Sequence, residues 1–328
     1  MPMYLMEFNE IPKESIWGGN LLSKKFFKSF DTKKNIGESW EICDLENDNS
    51  IITNGEFKGK SLSYIIEKYG ERLLGIKCKE KYFPLLIKLI DSKNKLSIQV
   101  HPDEEYANKK HNKHGKNEIW YVMDTSNNAK LLIGLKKNIN KENLKEAIYN
   151  NKNIEDMFNY FDIKKGDCFY IPSGCIHAIL GNSVIAEIQT PSDITYRLYD
   201  WNRFDNNHKL RELHIEDSFN VIKDMDYNSL KSIRNIKYKD DNLEINILFS
   251  NGYLLVEEYI VNNCFSSRTY GNTFEVIVVV DGDGIIKSDL DWNSISLHIG
   301  KTVLIPANLG SYIINSYIGI KFLRVSIL

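Results

Sequence analysis

Two stretches of this chain carry the three-to-four-residue apolar spacing of an amphipathic helix. In the first, Leu62, Ile65, Ile66 and Tyr69 fall on one face behind a serine cap at Ser61. In the second, residues 140–161, Asn140 stands at the head as a cap and Leu144, Ile148, Ile154 and Phe158 recur at roughly helical spacing. Nearly everything else is a succession of short apolar or alternating runs, cut by turn residues such as Asp281-Gly282-Asp283-Gly284. Many short strands at close spacing predict a mainly β chain of sandwiches or barrels rather than a parallel α/β sheet.

One pattern occurs twice. Residues 166–177 read GDCFYIPSGCIH, and residues 300–311 read GKTVLIPANLGS. Each sets a glycine, five residues and a proline around an apolar strand, with Phe169 and Ile171 in one copy and Val303 and Ile305 in the other. Upstream of each lies a second strand headed by glutamate, Glu118-Ile119-Trp120-Tyr121-Val122 and Glu275-Val276-Ile277-Val278-Val279. The duplication predicts two related barrels, residues 1–224 and 225–328, divided within or near the polar stretch 223–232. The helical insertions near 61–74 and 140–161 belong to the first. The copies differ where it matters chemically: five residues after the proline stands His177 in the first but Ser311 in the second, and Gly174 is replaced by Asn308. Any active site therefore belongs to the first barrel, and the second is expected to be structural.

Composition narrows the partners. With 42% hydrophobic side chains in 328 residues, a sizeable core is available. Basic and acidic side chains number 42 and 44, a net charge of −2, which gives no chain-wide reason to expect nucleic acid or an anionic membrane. A local anionic ligand is still compatible with that balance. The longest apolar runs, PLLIKLI and EVIVVV, fall well short of the roughly 18–20 residues of a membrane span. The opening MPMYLMEFNEIPKES has no basic leader followed by an apolar stretch. The five cysteines, Cys43, Cys78, Cys168, Cys175 and Cys264, form no C-x-x-C pair, which points to reduced thiols and a cytoplasmic location.

The candidate chemistry lies where strands end. Side chains two apart on a strand share a face, so Gln99 and His101 project together while Ile98 and Val100 turn away, and Pro102 ends the strand. Glu118 opens the next strand, and His177 follows a Pro-x-Gly corner on a third. One amide oxygen, two imidazoles and a carboxylate can meet around a single ion, and that donor set suits Zn²⁺, Mn²⁺ or Fe²⁺ alike. The plainer alternative makes His101 a strand-end surface residue and His177 a core histidine. The tract Lys109-Lys110-His111-Asn112-Lys113-His114 reads as an inserted solvated loop between the two halves of this cup.

The string Gly166-x5-Pro172-x-Gly174-x2-His177 resembles the second signature of the cupin superfamily, with Asn182 one position late. Gln99-x-His101 followed by Glu118 resembles the first, with Gln in place of a His and an expanded gap. A narrower likeness runs through the whole chain: Ser15-Ile16-Trp17-Gly18-Gly19, Gly37-Glu38-Ser39-Trp40-Glu41, Phe83-Pro84 to Lys88, Leu96 to Asp103, Gly115 to Tyr121, the corner ending at His177, Ala186-Glu187-Ile188-Gln189, and Thr195-Tyr196-Arg197-Leu198-Tyr199-Asp200-Trp201-Asn202-Arg203. In these motifs the chain resembles the short bacterial form of the type I mannose-6-phosphate isomerases, and the last string is not a general cupin feature.

The resemblance implies two cupin-type (jelly-roll) barrels and one Zn²⁺ per chain, with other divalent metals open, held by Gln99, His101, Glu118 and His177. It further implies interconversion of mannose 6-phosphate and fructose 6-phosphate through an enediol. Arg197, Lys116 and Ser97 match positions that hold the phosphate. Glu187, Asp193 and Lys88 match positions near the sugar and are the candidates for proton transfer, with Arg197 also in the catalytic set. Trp17 is either a pocket wall or core, while Trp40 and Trp201 are expected to pack. The partner is then a small hexose 6-phosphate, with monomer and homodimer both open. Two other readings remain: a metal-dependent cupin oxygenase, and a sugar-phosphate-binding cupin without turnover.

Overall fold

In the computed structural model, which describes residues 2–126, 128–205, 208–289 and 294–328, strand parity decides which side chains meet. The first unit is a sandwich of two antiparallel sheets. One has six strands in the order Ile11–Gly19, Ile36–Ile42, Leu86–Ser92, Ser183–Gln189, Glu118–Thr125 and Cys168–Ile171. The other has five: Tyr196–Tyr199, Ile98–Val100, His177–Ile179, Lys130–Leu135 and Phe158–Asp162. The second unit is a curled sheet of nine strands among the described residues, built around the long Glu275–Ser288 strand.

The six-stranded sheet is buried on both faces, which explains why Leu86–Ser92 and Ser183–Gln189 are buried at every position. Its outward set (Ile87, Leu89, Ile119, Tyr121, Ala186, Ile188) packs with Val276, Val278, Leu323 and Val325 of the second unit in one continuous core. Its inward set, Lys88, Glu118, Trp120 and Glu187, has the opposite parity and faces the five-stranded sheet. The division at 224 is crossed by the amino-terminal segment: Leu5 joins the interior core of the second unit, and Met6 and Leu304 exchange backbone hydrogen bonds of 2.9 and 3.0 Å.

The duplicated pattern is duplicated in register. Glu118 pairs with Ile171, the residue before Pro172, and Glu275 pairs with Ile305, the residue before Pro306. Strands then begin at His177 and at Ser311.

The first expected helix forms as Leu62–Tyr69, capped by the Ser61 hydroxyl, and continues as Glu71–Leu74. The second is shorter than its apolar spacing suggests. Asn140 and Asn143 form a reciprocal cap, but the helix ends at Tyr149, Asn151 turns into the left-handed region at φ 51°, and Phe158 opens a strand. Leu144, Ile154 and Phe158 still share one core, so the periodicity recorded a common destination for three different elements. The charged tract also departs from expectation. Its Lys109-Lys110-His111 half ends a helix, Glu104–His111, capped by Asp103, while Asn112 to His114 stay outside it; only Ala107 of the helix is buried, so no apolar stripe announces it.

Candidate metal centre and active site

Three neighbouring strands of the five-stranded sheet bring the amide and one imidazole together. Gln99 stands directly opposite His177 on one side and Arg197 on the other. His101 follows at the strand end, and its carbonyl accepts the backbone N–H of Gly174 at 2.9 Å, which locks the corner leading to His177. That corner needs glycine. Gly174 sits at φ 83°, and a Cβ there would lie 2.7 Å from Lys223 Cγ and 2.8 Å from the Val221 carbonyl oxygen. Glu118 reaches across from the facing sheet.

The donor atoms of His101, Glu118 and His177 lie within 4.8 Å of one another, and all three residues are buried. Each imidazole is fixed by its other nitrogen. His101 Nδ1 is 3.0 Å from the Ile194 carbonyl and His177 Nδ1 is 3.0 Å from the Cys175 carbonyl. Donation of Nδ1–H to these carbonyls leaves Nε2 of both rings with a bare lone pair directed inward. Burial and then the Lys116 ammonium push the His101 pKa down to about 3, and burial also lowers that of His177. For Glu118, burial favours the neutral acid, but the neighbouring charge, that of Lys116 foremost, outweighs it and holds the carboxyl well below its usual range. Unprotonated His101 Nε2 therefore lies 3.2 Å from an ionised Glu118 oxygen, with His177 Nε2 3.7 Å from the other. His101 Nε2 and Glu118 Oε2 have no hydrogen-bond partner. Buried acceptors facing one another without a proton are unfavourable unless a cation lies between them, so these residues fit a divalent ion. Gln99 Nε2 is 3.2 Å from His177 Nε2, and a half-turn of the amide presents Oε1 to the same place.

A cavity of about 330 Å³ opens beside this group. All the expected site residues except the wholly buried His101 and His177 line it. Lys88 and Glu187 are cross-strand neighbours, 3.2 Å apart, and the Trp120 indole donates to the other Glu187 oxygen at 2.9 Å. Burial and the charge of Glu118 raise the Glu187 pKa, while Glu38 and Glu187 together outweigh burial and keep Lys88 protonated. Lys116 stands 3.0 Å from Glu118, at the metal end of the cavity. Asp193 is at the rim, half exposed and 2.8 Å from Lys113. Ser97 donates to Gln99 Oε1 at 3.3 Å. Arg197 donates from Nη1 to the Glu212 carbonyl at 2.7 Å and leaves Nε buried and unpartnered.

Trp17 is a cavity wall. Trp40, expected only to pack, is buried but also lines the cavity, and its indole donates to Glu38 at 2.6 Å. Glu38, 3.4 Å from Lys88, and Arg211 are charged members of the lining that had no assigned role. The i, i+2 placement of Glu38 and Trp40 on one strand face was a usable signal for the first; Arg211 had none, because it stands in a polar segment outside any strand or helix. Trp201 is structural, donating to the Leu96 carbonyl at 2.7 Å. His111 and His114 lie away from the centre, bonded to Tyr196 and Glu104.

Mannose-6-phosphate isomerase ManA of Bacillus subtilis (strain 168) is 33% identical over 313 residues, covering 94% of this chain and 95% of that protein. The chain belongs to the type I phosphomannose isomerase family. The family model for the phosphomannose isomerase type I catalytic domain matches residues 5–135, the stretch that supplies Gln99, His101 and Glu118. The crystal structure of the mannose 6-phosphate isomerase from Bacillus subtilis superposes with a TM-score of 0.87 at 29% identity, covering 99% of both chains. A mannose 6-phosphate isomerase solved with zinc and yttrium shares the fold at 15% identity and a TM-score of 0.76, over 98% of this chain and 99% of that one. Type I phosphomannose isomerases are cupin-fold proteins, and the two curled β units here are that fold.

Proposed function

We propose that this chain interconverts mannose 6-phosphate and fructose 6-phosphate in the cavity of the first barrel, with one divalent ion, zinc, held by His101, Glu118, His177 and the Gln99 amide oxygen. The observation that carries the reading is the convergence of two deprotonated Nε2 atoms and an ionised carboxylate, with His101 Nε2 and Glu118 Oε2 unpartnered, beside a cavity that also holds a buried acid–base pair and an underused guanidinium.

When bound, the ion supplies Lewis acidity toward the sugar's carbonyl and hydroxyl oxygens. The residues do the rest. Isomerisation of the open-chain sugar moves a proton between C1 and C2 through an enediol. Glu187 is the group we assign to that transfer, because its carboxylate faces the cavity and is aimed by Lys88 and Trp120. Lys88 in turn keeps a positive charge beside the developing oxyanion. Asp193, tied to Lys113 at the rim, serves the entrance rather than the proton. Lys116 steadies Glu118 from its cavity side, and Arg197 with Ser97 receives the phosphate. Trp17 and Trp40 wall the sugar. Residues 1–224 form the catalytic unit and 225–328 the degenerate one. The unpaired state of all five cysteines supports a cytoplasmic setting.

A coupled assay from mannose 6-phosphate to fructose 6-phosphate, run before and after chelation with zinc measured in parallel, tests this. Turnover that disappears with the metal and returns on zinc addition is expected; a zinc-loaded protein without turnover refutes it. An oxygenase would need molecular oxygen for activity, and a sensor would have lost a ligand or Arg197; both sets are retained.

A further inference from the structure

The motif Tyr199-Asp200-Trp201-Asn202-Arg203 has no part in the chemistry described so far, and the structure gives it one. Asp200 is buried, and its carboxylate accepts Arg203 Nη2 at 2.5 Å and Arg211 Nη1 at 3.2 Å. Arg203 is itself pinned to the Lys95 carbonyl and, through Nε, to the Asp200 carbonyl at 3.3 Å. Beyond it, the chain turns back so that the His214 N–H donates to the Arg197 carbonyl at 2.7 Å and the Arg197 N–H donates to His214 Nδ1 at 3.1 Å. This return brings Arg211 to the cavity wall that already carries Arg197.

Like charges are thus gathered on one side of a small cavity. Arg197 and Arg211 of the lining, with Arg203 outside it, stand against the single buried carboxylate of Asp200, which leaves positive charge in excess, the Glu212 carboxylate being 83% exposed to solvent. Burial, and then the neighbouring Arg211, act against the charge of Arg197. Arg197 Nε has no partner, and Arg211 turns only Nη1 to Asp200. A sugar phosphate carries about −1.5 to −2 at neutral pH, the charge this corner lacks.

Resting on the proposed isomerase reading, we propose that Arg211 is a second phosphate-binding guanidinium, forming with Arg197 a two-arginine clamp that selects phosphorylated over free sugar, and that Asp200 is a positioning residue that aims it. Each guanidinium gives a phosphate a pair of parallel hydrogen bonds, and two approaching from neighbouring segments engage different phosphate oxygens at once, which a lone arginine cannot.

The test compares Arg211→Ala, Arg211→Lys and Asp200→Asn with the wild-type zinc protein. Inorganic phosphate affinity by calorimetry and KM for mannose 6-phosphate are expected to weaken on the order of 10- to 100-fold in Arg211→Ala and less in Arg211→Lys. The loss in kcat/KM should be at least about tenfold larger for mannose 6-phosphate than for unphosphorylated mannose. Asp200→Asn should raise KM for mannose 6-phosphate while kcat stays within about threefold, the signature of positioning rather than chemistry. Unchanged phosphate affinity in a folded Arg211→Ala, or equal losses on both sugars, overturns the clamp. Circular dichroism establishes folding, and should the alanine variant not fold, Arg211→Lys carries the same comparison. A wild-type protein that binds phosphate through Arg211 but does not isomerise mannose 6-phosphate refutes the isomerase reading and leaves the anion site standing.

Discussion

The two barrels begin from the same strand pair and put opposite things inside it. In the first, the glutamate opposite the pre-proline isoleucine is Glu118, which meets two histidines and a cavity. In the second it is Glu275, which is 3.3 Å from Arg324 and accepts the Tyr312 hydroxyl at 2.6 Å. The interior behind Glu275 is filled by Tyr259, Phe265, Tyr312, Phe322 and aliphatic neighbours. A buried carboxylate has to be compensated in either setting. One barrel sets Lys116 against one oxygen of that carboxylate and turns two imidazoles and open space to the rest, a set that fits a divalent ion; the other builds the compensation in with an arginine and a phenol. The same backbone thereby yields a reaction site in one case and a wall in the other.

Removing a ligand gives the largest effect. His177→Ala is expected to lose zinc and to reduce kcat on the order of 10³-fold or more, read by metal analysis and the coupled assay; a variant that keeps both would erase the distinction between the barrels. Next in size, Arg324→Met takes their shared cation from Glu257 and Glu275, leaving them Lys237 and the Tyr312 hydroxyl, for a destabilisation of about 2–3 kcal/mol in urea unfolding, with kcat/KM within about threefold of wild type when folded. Gly174→Ala forces a side chain into the left-handed corner between His101 and His177. It should cost about 1–3 kcal/mol by the same unfolding measurement and weaken zinc binding, whereas Asn308→Ala at the matching place should do neither. Least of all, Ser311→His restores the missing histidine to the second barrel yet should bind no second zinc. Glu275 is already paired there and the interior is full; a stoichiometry of two by metal analysis would show that ligand identity alone makes the site.

The twofold pattern Gly-x5-Pro, with a glutamate-headed strand upstream, foretold two related barrels, because strand alternation and the proline corner are local properties of sequence; their common register came only from the folded chain. Some elements escaped, the short helices Leu21–Lys24 and Ile215–Val221 among them. The Glu104–His111 helix has almost no apolar face, so only its cap marks it, and the 140–161 spacing ran past a left-handed asparagine into a strand that shares the same core. Within the site, the grouping of Gln99, His101, Glu118 and His177 was legible from residue type and corner spacing. Trp40 was read as packing alone, and Arg211 was not read at all, since its place depends on Asp200 and on a return of the chain that no periodicity records.

By itself, then, the amino-acid order determined which residues alternate, where strands must stop, and that only one of the two repeats carries a histidine five residues past its proline. The folded chain decided what those residues face. Parity sends Lys88 and Glu187 inward because the opposite face of their sheet is buried against the second unit. His101 Nδ1 finds the Ile194 carbonyl from a distant segment, whereas His177 Nδ1 takes the Cys175 carbonyl of its own corner; together these contacts turn both Nε2 lone pairs toward the same place, which only the folded chain brings about.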